Sequence, residues 1–240
     1  MKDINEELEK ALKGDELKNI GIDVTEIALD QLFNDGILKD IPILNYAVAL
    51  LKGGINIRDA IFLRKLLIFI NNIQEVSNSK REEFLKKISK ISNTKKRLFE
   101  KILFTIDKID DSEKALLLGK VFKHLIVGNI DLIQYYRISR VIENMMLDEI
   151  NYFFYLHGYY EHNAETREKY FYYMELIEES NLIATLIKND LYEIKEELTY
   201  RENIRPQQYK MEKKGGLTNL GRVFCEFGFE SRFYLTKPIE

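Results

Sequence analysis

DDSEKALLLGKVFKHLIVGNIDLIQYYRISRVIENMMLDEINYF, residues 110–153, decides the fold class. Asp111 and Ser112 are helix-capping residues, and Glu113 follows in the first turn, where the helix dipole favours an acid. Leu118, Val121, Phe122 and Leu125 recur at helical spacing and give that helix a core face. Gly128 is placed to end it. Asp131 opens a second helix reaching about Met146, and Asp148 opens a third. Three capped, amphipathic segments in succession predict a helical protein.

The pattern extends N-terminally. Ile4, Leu8, Ala11 and Leu12 form a stripe within a short helix over 3–18, which Gly14 weakens, and a second helix is expected over 23–35. The most apolar part, 37–70, reads as a helical hairpin over 41–70. Asp40 caps its first arm, Pro42 sits in the first turn where proline is tolerated, and Gly53–Gly54 ends that arm. The second arm starts near Ile57 and runs to about Val76, with Arg58, Arg64 and Lys65 interrupting its apolar run. Neither arm has the roughly 20 uninterrupted apolar residues of a membrane span. The hairpin is therefore read as core, with a re-entrant or surface-lying membrane element as the alternative. Two lysine-dense helices follow at 80–92 and 94–108, with Asn93 or Thr94 as the cap of the latter.

After residue 180 the grammar changes. A helix over 166–179 gives way to short β-prone runs in 180–195, a turn at Asn203–Pro206, a return strand at Tyr209–Lys213, a break at Gly215–Gly216 and a final helix over 217–228. Leu217, Leu220, Phe224 and Phe227 form the apolar stripe of that helix. The order resembles the end of a winged-helix unit. The expected architecture is mainly α: a multi-helix bundle over 1–147 and a C-terminal unit over 148–240 that ends as a small α+β, winged-helix-like element.

Net charge is −3, but it is distributed in blocks. Residues 1–36 carry ten acids against four bases, 52–108 fourteen bases against six acids, and 109–200 seventeen acids against nine bases. Either the blocks compensate one another between packed helices, or the basic block meets an anionic partner. Lys86, Lys87, Lys90, Lys95, Lys96 and Arg97 are its candidate contacts. Seven of the fourteen tyrosines fall in 152–173. Tyr155, Tyr159 and Tyr160 are candidate interaction aromatics, although such residues also seal junctions between helical layers. Arg205, Lys210, Lys213 and Lys214 are the cations of a candidate DNA-contacting wing. The preceding segment 167–180 has two bases against four acids, a poor composition for a groove-reading helix.

Catalytic signatures are missing from the sequence. Gly119–Lys120 lies inside a helical pattern without the glycine spacing of a phosphate loop. His157 and His162 are five residues apart and diverge around a helix, leaving only a His157/Glu161 pair on one face. His124 stands alone. Cys225 is the single cysteine, which precludes an intrachain disulfide and reads as a small buried hydrophobe. No catalytic residue, metal or cofactor is expected. The charged N-terminal segment has no apolar stretch of a secretory signal, so a cytoplasmic location, membrane-proximal at most, is expected.

Three stretches carry a resemblance: FNDGILKDIPILNYAVALLKGGINIRDAIFLRKLLIFI (33–70), the 110–153 segment, and GGLTNLGRVFCEFG (215–228). In order and texture they resemble small prokaryotic helical proteins that sit close to the abortive-infection alpha (Abi-alpha) family of phage-resistance proteins. The resemblance implies a bacterial protein acting in phage defence, and it carries no functional residues over. Read together with the residues, it suggests a non-enzymatic defence or stress-response component that binds a protein partner or itself. The alternatives are a membrane effector inserting the 41–70 hairpin and a DNA-binding regulator using the 201–214 wing.

Overall fold

The computed structural model describes residues 4–15, 43, 57–156, 179–199 and 210–228. Among these the protein is mainly helical, with one two-stranded antiparallel sheet near the C-terminus. The chain divides into two compact units, Met1–Leu147 and Asp148–Glu240. The described helices of the first unit are α1 (Ile4–Lys13), α2 (Ile57–Gln74), α3 (Asn78–Ser89), α4 (Thr94–Lys108), α5 (Ser112–Val127) and α6 (Leu132–Asn144).

Helix α2 is the second arm of the expected hairpin, and it is core. Leu63, Leu66, Leu67, Ile68, Phe69, Ile70 and Ile73 are all buried, and so are Lys65, Asn72 and Gln74. A helix buried on nearly every side lies inside its domain. Of the first arm only Ile43 is described; it is helical and buried. The rest of that arm, and the helix expected over 23–35, lie outside the described residues. No described helix is long and apolar enough to cross a membrane.

The most extensive helix–helix packing in the unit is α2 on α5. Gly119 permits it. A Cβ at that position would meet Asn72 Cβ and the Phe69 carbonyl oxygen, each at 3.0 Å. Phe122, one turn on, is the hub of an aromatic cluster, with ring centroids 5.5 Å from Phe69 on α2, 5.7 Å from Phe84 on α3 and 5.3 Å from Tyr135 on α6. The edge-on and tilted geometries suit the ring quadrupoles.

The caps read from the sequence at 110–131 are present. The Asp111 carboxylate accepts from Glu113 N–H at 2.7 Å, Gly128 closes α5 in the left-handed region at φ 86°, and Asp131 and Gln134 form a reciprocal capping box. Asn93 occupies the N-cap of α4, but at φ 59° its side chain makes no capping hydrogen bond.

Helix α1 ends by a different device. The last four carbonyls of a helix have no intrahelical partner. Here Lys10 O accepts from Gly14 N–H at 2.9 Å, Ala11 O from Gln74 at 3.5 Å, Lys13 O from Asn78 at 2.9 Å and Leu12 O from Arg81 at 2.9 Å. Arg81 also donates to Gly14 O at 2.6 Å and to the Asp15 carboxylate. It is only 1% exposed, so a guanidinium from α3 serves as the C-terminal cap of α1. Lys65 does the same for α4, donating to Ile109 O at 2.6 Å and Asp107 O at 3.3 Å.

In the second unit the described elements are α7 (Leu147–Leu156, whose first residue precedes the division), α8 (Glu179–Lys188), β1 (Tyr192–Thr199), β2 (Lys210–Leu217) and α9 (Asn219–Gly228). The order helix, strand, strand, helix is present, but of the helix expected over 166–179 all except Glu179 lies outside the described residues, and three local expectations are corrected. Residues 181–188, read as β-prone, are helical, because Leu186 is buried by tertiary packing that overrides β propensity. Gly215 and Gly216 do not break the chain. They pair with Ile194 and Glu193 inside β2, since the ladder is a backbone interaction and glycine can adopt an extended conformation. Helix α9 starts at Asn219 rather than 217, because the Thr218 hydroxyl accepts from Gly221 N–H at 3.0 Å and caps it there. Gly221 is required at this position, because a Cβ there would run into the Leu191 carbonyl oxygen. Phe224 packs against Phe153 and Phe154 with centroids 6.1 and 5.1 Å away. The turn expected at 203–206 lies outside the described residues.

Two variants test which contacts hold the first unit. Phe122→Ala is expected to destabilise by about 3–5 kcal/mol through cavity formation. Arg81→Met preserves volume but orphans two carbonyls, at roughly 1–3 kcal/mol each. Urea denaturation followed by circular dichroism measures both; an unchanged midpoint in either variant contradicts the assignment.

Candidate partner-binding surface

The basic block does not form one cationic patch. Lys95 reaches from α4 to the Glu9 carboxylate of α1 at 2.6 Å, and Glu9 also holds Lys13 at 2.8 Å. Lys101 and Lys108 share Glu143 of α6 at 3.1 and 3.2 Å. Lys86 and Lys96 make long i,i+4 contacts with Glu82 and Glu100, at 3.7 and 3.8 Å. Such exposed pairs leave the ammonium groups largely solvated. Arg97 is exposed at the start of α4 and exerts a charge influence on half-buried Tyr136. Lys80, Lys87 and Lys90 are exposed and make no ion pair among the described residues. Thus part of the block compensates internally, and among the described residues Lys80, Lys87 and Lys90, along α3 and at its C-terminal end, are lysines that do not.

Lys80 and Lys87 border a groove of about 600 Å³ between α3 and the corner joining α5 to α6. Phe84, Ile88, Leu125, Ile126 and Ile130 form its floor, each 5–8% exposed. Lys80 and Lys87 stand on one wall with Glu83 between them, and Asp131, Leu132 and Gln134 line the other. Ile91, 58% exposed, closes the α3 end, next to Thr94 at the start of α4. Lys86, Lys87 and Lys90 also surround a shallower depression on the outer side of α3. A concave apolar surface of this volume with a few polar groups at its edge is the usual form of a binding site.

No family model matches this chain. Neither a curated protein nor a solved structure matches it significantly.

The remaining sequence candidates are placed as follows. Tyr155 lies in the last turn of α7, while Tyr159, Tyr160, His157 and His162 lie outside the described residues. Tyr152, Phe153 and Phe154, where the aromatic stretch begins, are buried. Of the wing cations, Arg205 is outside the described residues, and Lys210, Lys213 and Lys214 lie on β2 opposite Thr199, Glu196 and Lys195. β1 contributes Glu193, Glu196 and Glu197, so the two strands together hold four lysines and four glutamates. His124 is buried, with Nδ1 2.9 Å from the Asn129 amide, and belongs to the α5 terminus. Burial pushes the Cys225 thiol up to about 12, which leaves it an inert apolar group. Among the described residues no three His, Cys, Asp or Glu side chains could hold a metal ion.

Sequence reading placed a helix over 80–92 but did not set the stretch 125–134 opposite it. The available signal was apolar residues in turns: Ile91 beyond the end of α3 and Ile130 after Gly128.

The carboxylates that tie this layer together set its response to acid. Burial raises the carboxyls of Glu9 and Glu143, but the hydrogen bonds from Lys13 and Lys95, and from Lys101 and Lys108, outweigh it. Both lie below the ordinary value of 4.5. A carboxyl depressed in the fold stabilises above its unfolded value, and that contribution is lost as pH falls through the folded one. Thermal melts between about pH 5 and about pH 3 are expected to show a falling Tm, with a shallower slope in the Glu9→Gln/Glu143→Gln double variant. Equal slopes contradict the assignment.

Proposed function

We propose that this chain is a non-enzymatic bacterial protein that works in the cytoplasm by binding a protein partner, in phage defence or stress response. The observation that carries the binding role is the groove: a recessed apolar floor, open at the surface, bordered by lysines that engage no acid among the described residues. Surfaces of this kind serve recognition more often than chemistry when no nucleophile, base or metal set converges on them. The defence role rests on the resemblance to proteins near the Abi-alpha family and on nothing in the geometry.

The groove favours this reading over its two alternatives. Insertion of the 57–70 arm into a membrane would first require α2 to leave the interior of the first unit. The two strands of the wing hold as many glutamates as lysines, a poor composition for contacting phosphates.

Expression in a bacterial host challenged with a panel of phages tests both parts. Wild type is expected to reduce plaquing for at least one phage, and Ile91→Glu is expected to lose that protection while keeping its Tm. Protection unaffected by Ile91→Glu would remove the groove from the function. Absence of protection across the panel would sink the defence role.

A further inference from the structure

We propose that the occupant of the groove is an amphipathic α-helix of about three turns with acidic flanks. This rests on the reading of the groove as a partner site and specifies the partner's chemistry.

The first argument is backbone accounting. The floor is made of the apolar side chains of Phe84, Ile88, Leu125, Ile126 and Ile130. One wall is α3, and the other is the α5–α6 corner, where the N–H groups of Gly128, Asn129 and Ile130 are already bonded to the Leu125 and His124 carbonyls, so no strand edge is offered. An extended peptide laid on that floor would bury unpaired backbone groups, each a substantial penalty. A helix satisfies its own backbone and presents only side chains, which is the helix-in-groove mode of recognition.

The second argument is length. The α3 wall runs from Lys80 to Ile91, twelve residues of which the last two lie just past the helix end at Ser89. At 1.5 Å per residue that is roughly 17 Å, or three turns. Anchors at i, i+3, i+4 and i+7 of a partner helix span two of those turns.

The third argument is charge. Lys80, Lys87 and Lys90 make no ion pair among the described residues. Of the two acids on the walls, Asp131 is already engaged in capping α6. At the Ile91 end α4 begins, and Asn93 supplies no side-chain acceptor to its first N–H groups. The free lysines on the α3 wall, Lys80 and Lys87, together with the uncapped helix N-terminus beyond Ile91, favour carboxylates on the incoming helix. The recessed floor disfavours a flat lipid surface, which would meet the lysine rim before reaching Phe84 or Ile88.

The test is selection on the immobilised full chain from a displayed library of helices of about 14 residues, close to four turns. The apolar positions i, i+3, i+4 and i+7 are fixed, and the flanks are randomised among Glu, Gln and Lys. Enrichment of Glu, reversed to Lys on the Lys80→Glu/Lys87→Glu variant, is the expected result; both positions are exposed, and circular dichroism checks that the variant folds. Enrichment without charge preference, but lost in Ile91→Glu, would overturn the acidic partner and leave the groove reading standing. No enrichment would overturn both. In that case, salt-sensitive flotation with phosphatidylglycerol vesicles would assign the surface to lipid.

Discussion

The first unit depends on the crossing of α2 and α5 at Gly119. A Cβ there would sit 3.0 Å from Asn72 Cβ and from the Phe69 carbonyl oxygen, tighter than ordinary contact, so glycine suits the close approach of the α2 backbone. Once the two helices touch there, Phe122 is positioned to contact rings from α2, α3 and α6 together. The interior is therefore organised around a point of backbone contact rather than around one amphipathic stripe, and it explains why α2 is buried on nearly every face. Interiors packed this densely have little slack for volume changes.

The second constraint is the termination of helices inside a packed unit. Carbonyls at a buried helix end need donors, and water is not available to supply them. Arg81 and Lys65 meet that need for α1 and α4, and Glu9 and Glu143 gather four lysines between them. Charges that look like an interaction surface when counted along the chain are thus partly structural. What remains on α3, around the apolar groove, is the share of the basic block available to a partner.

Much of the fold was legible because its signals are local. Asp111, Gly128 and Asp131 mark helix ends by chemistry acting within four residues, and those boundaries are in place. The division of the lysines was not legible, because whether Lys95 faces solvent or Glu9 depends on a contact across 86 positions. Gly119 was visible only as a residue that fails the phosphate-loop spacing, since close approach of two helices leaves no trace along one of them. The strand through Gly215–Gly216 was hidden for the opposite reason: local propensity argued for a break, and cross-strand pairing decided otherwise. The groove escaped notice because its far wall is a turn, where apolar residues have no periodicity to follow.

The central claim is that the lysines of the basic block divide into cations held by acids or carbonyls of the same unit, Lys65 the buried one among them, and a free set along α3 and at its C-terminal end. Residue-by-residue acetylation of the native protein, followed by mass spectrometry, reads this division directly. Lys80, Lys87 and Lys90 should react rapidly, whereas Lys65 should be protected until the bundle unfolds. Reaction of Lys65 as fast as Lys87, or protection of Lys87 and Lys90 in the isolated protein, would contradict the account.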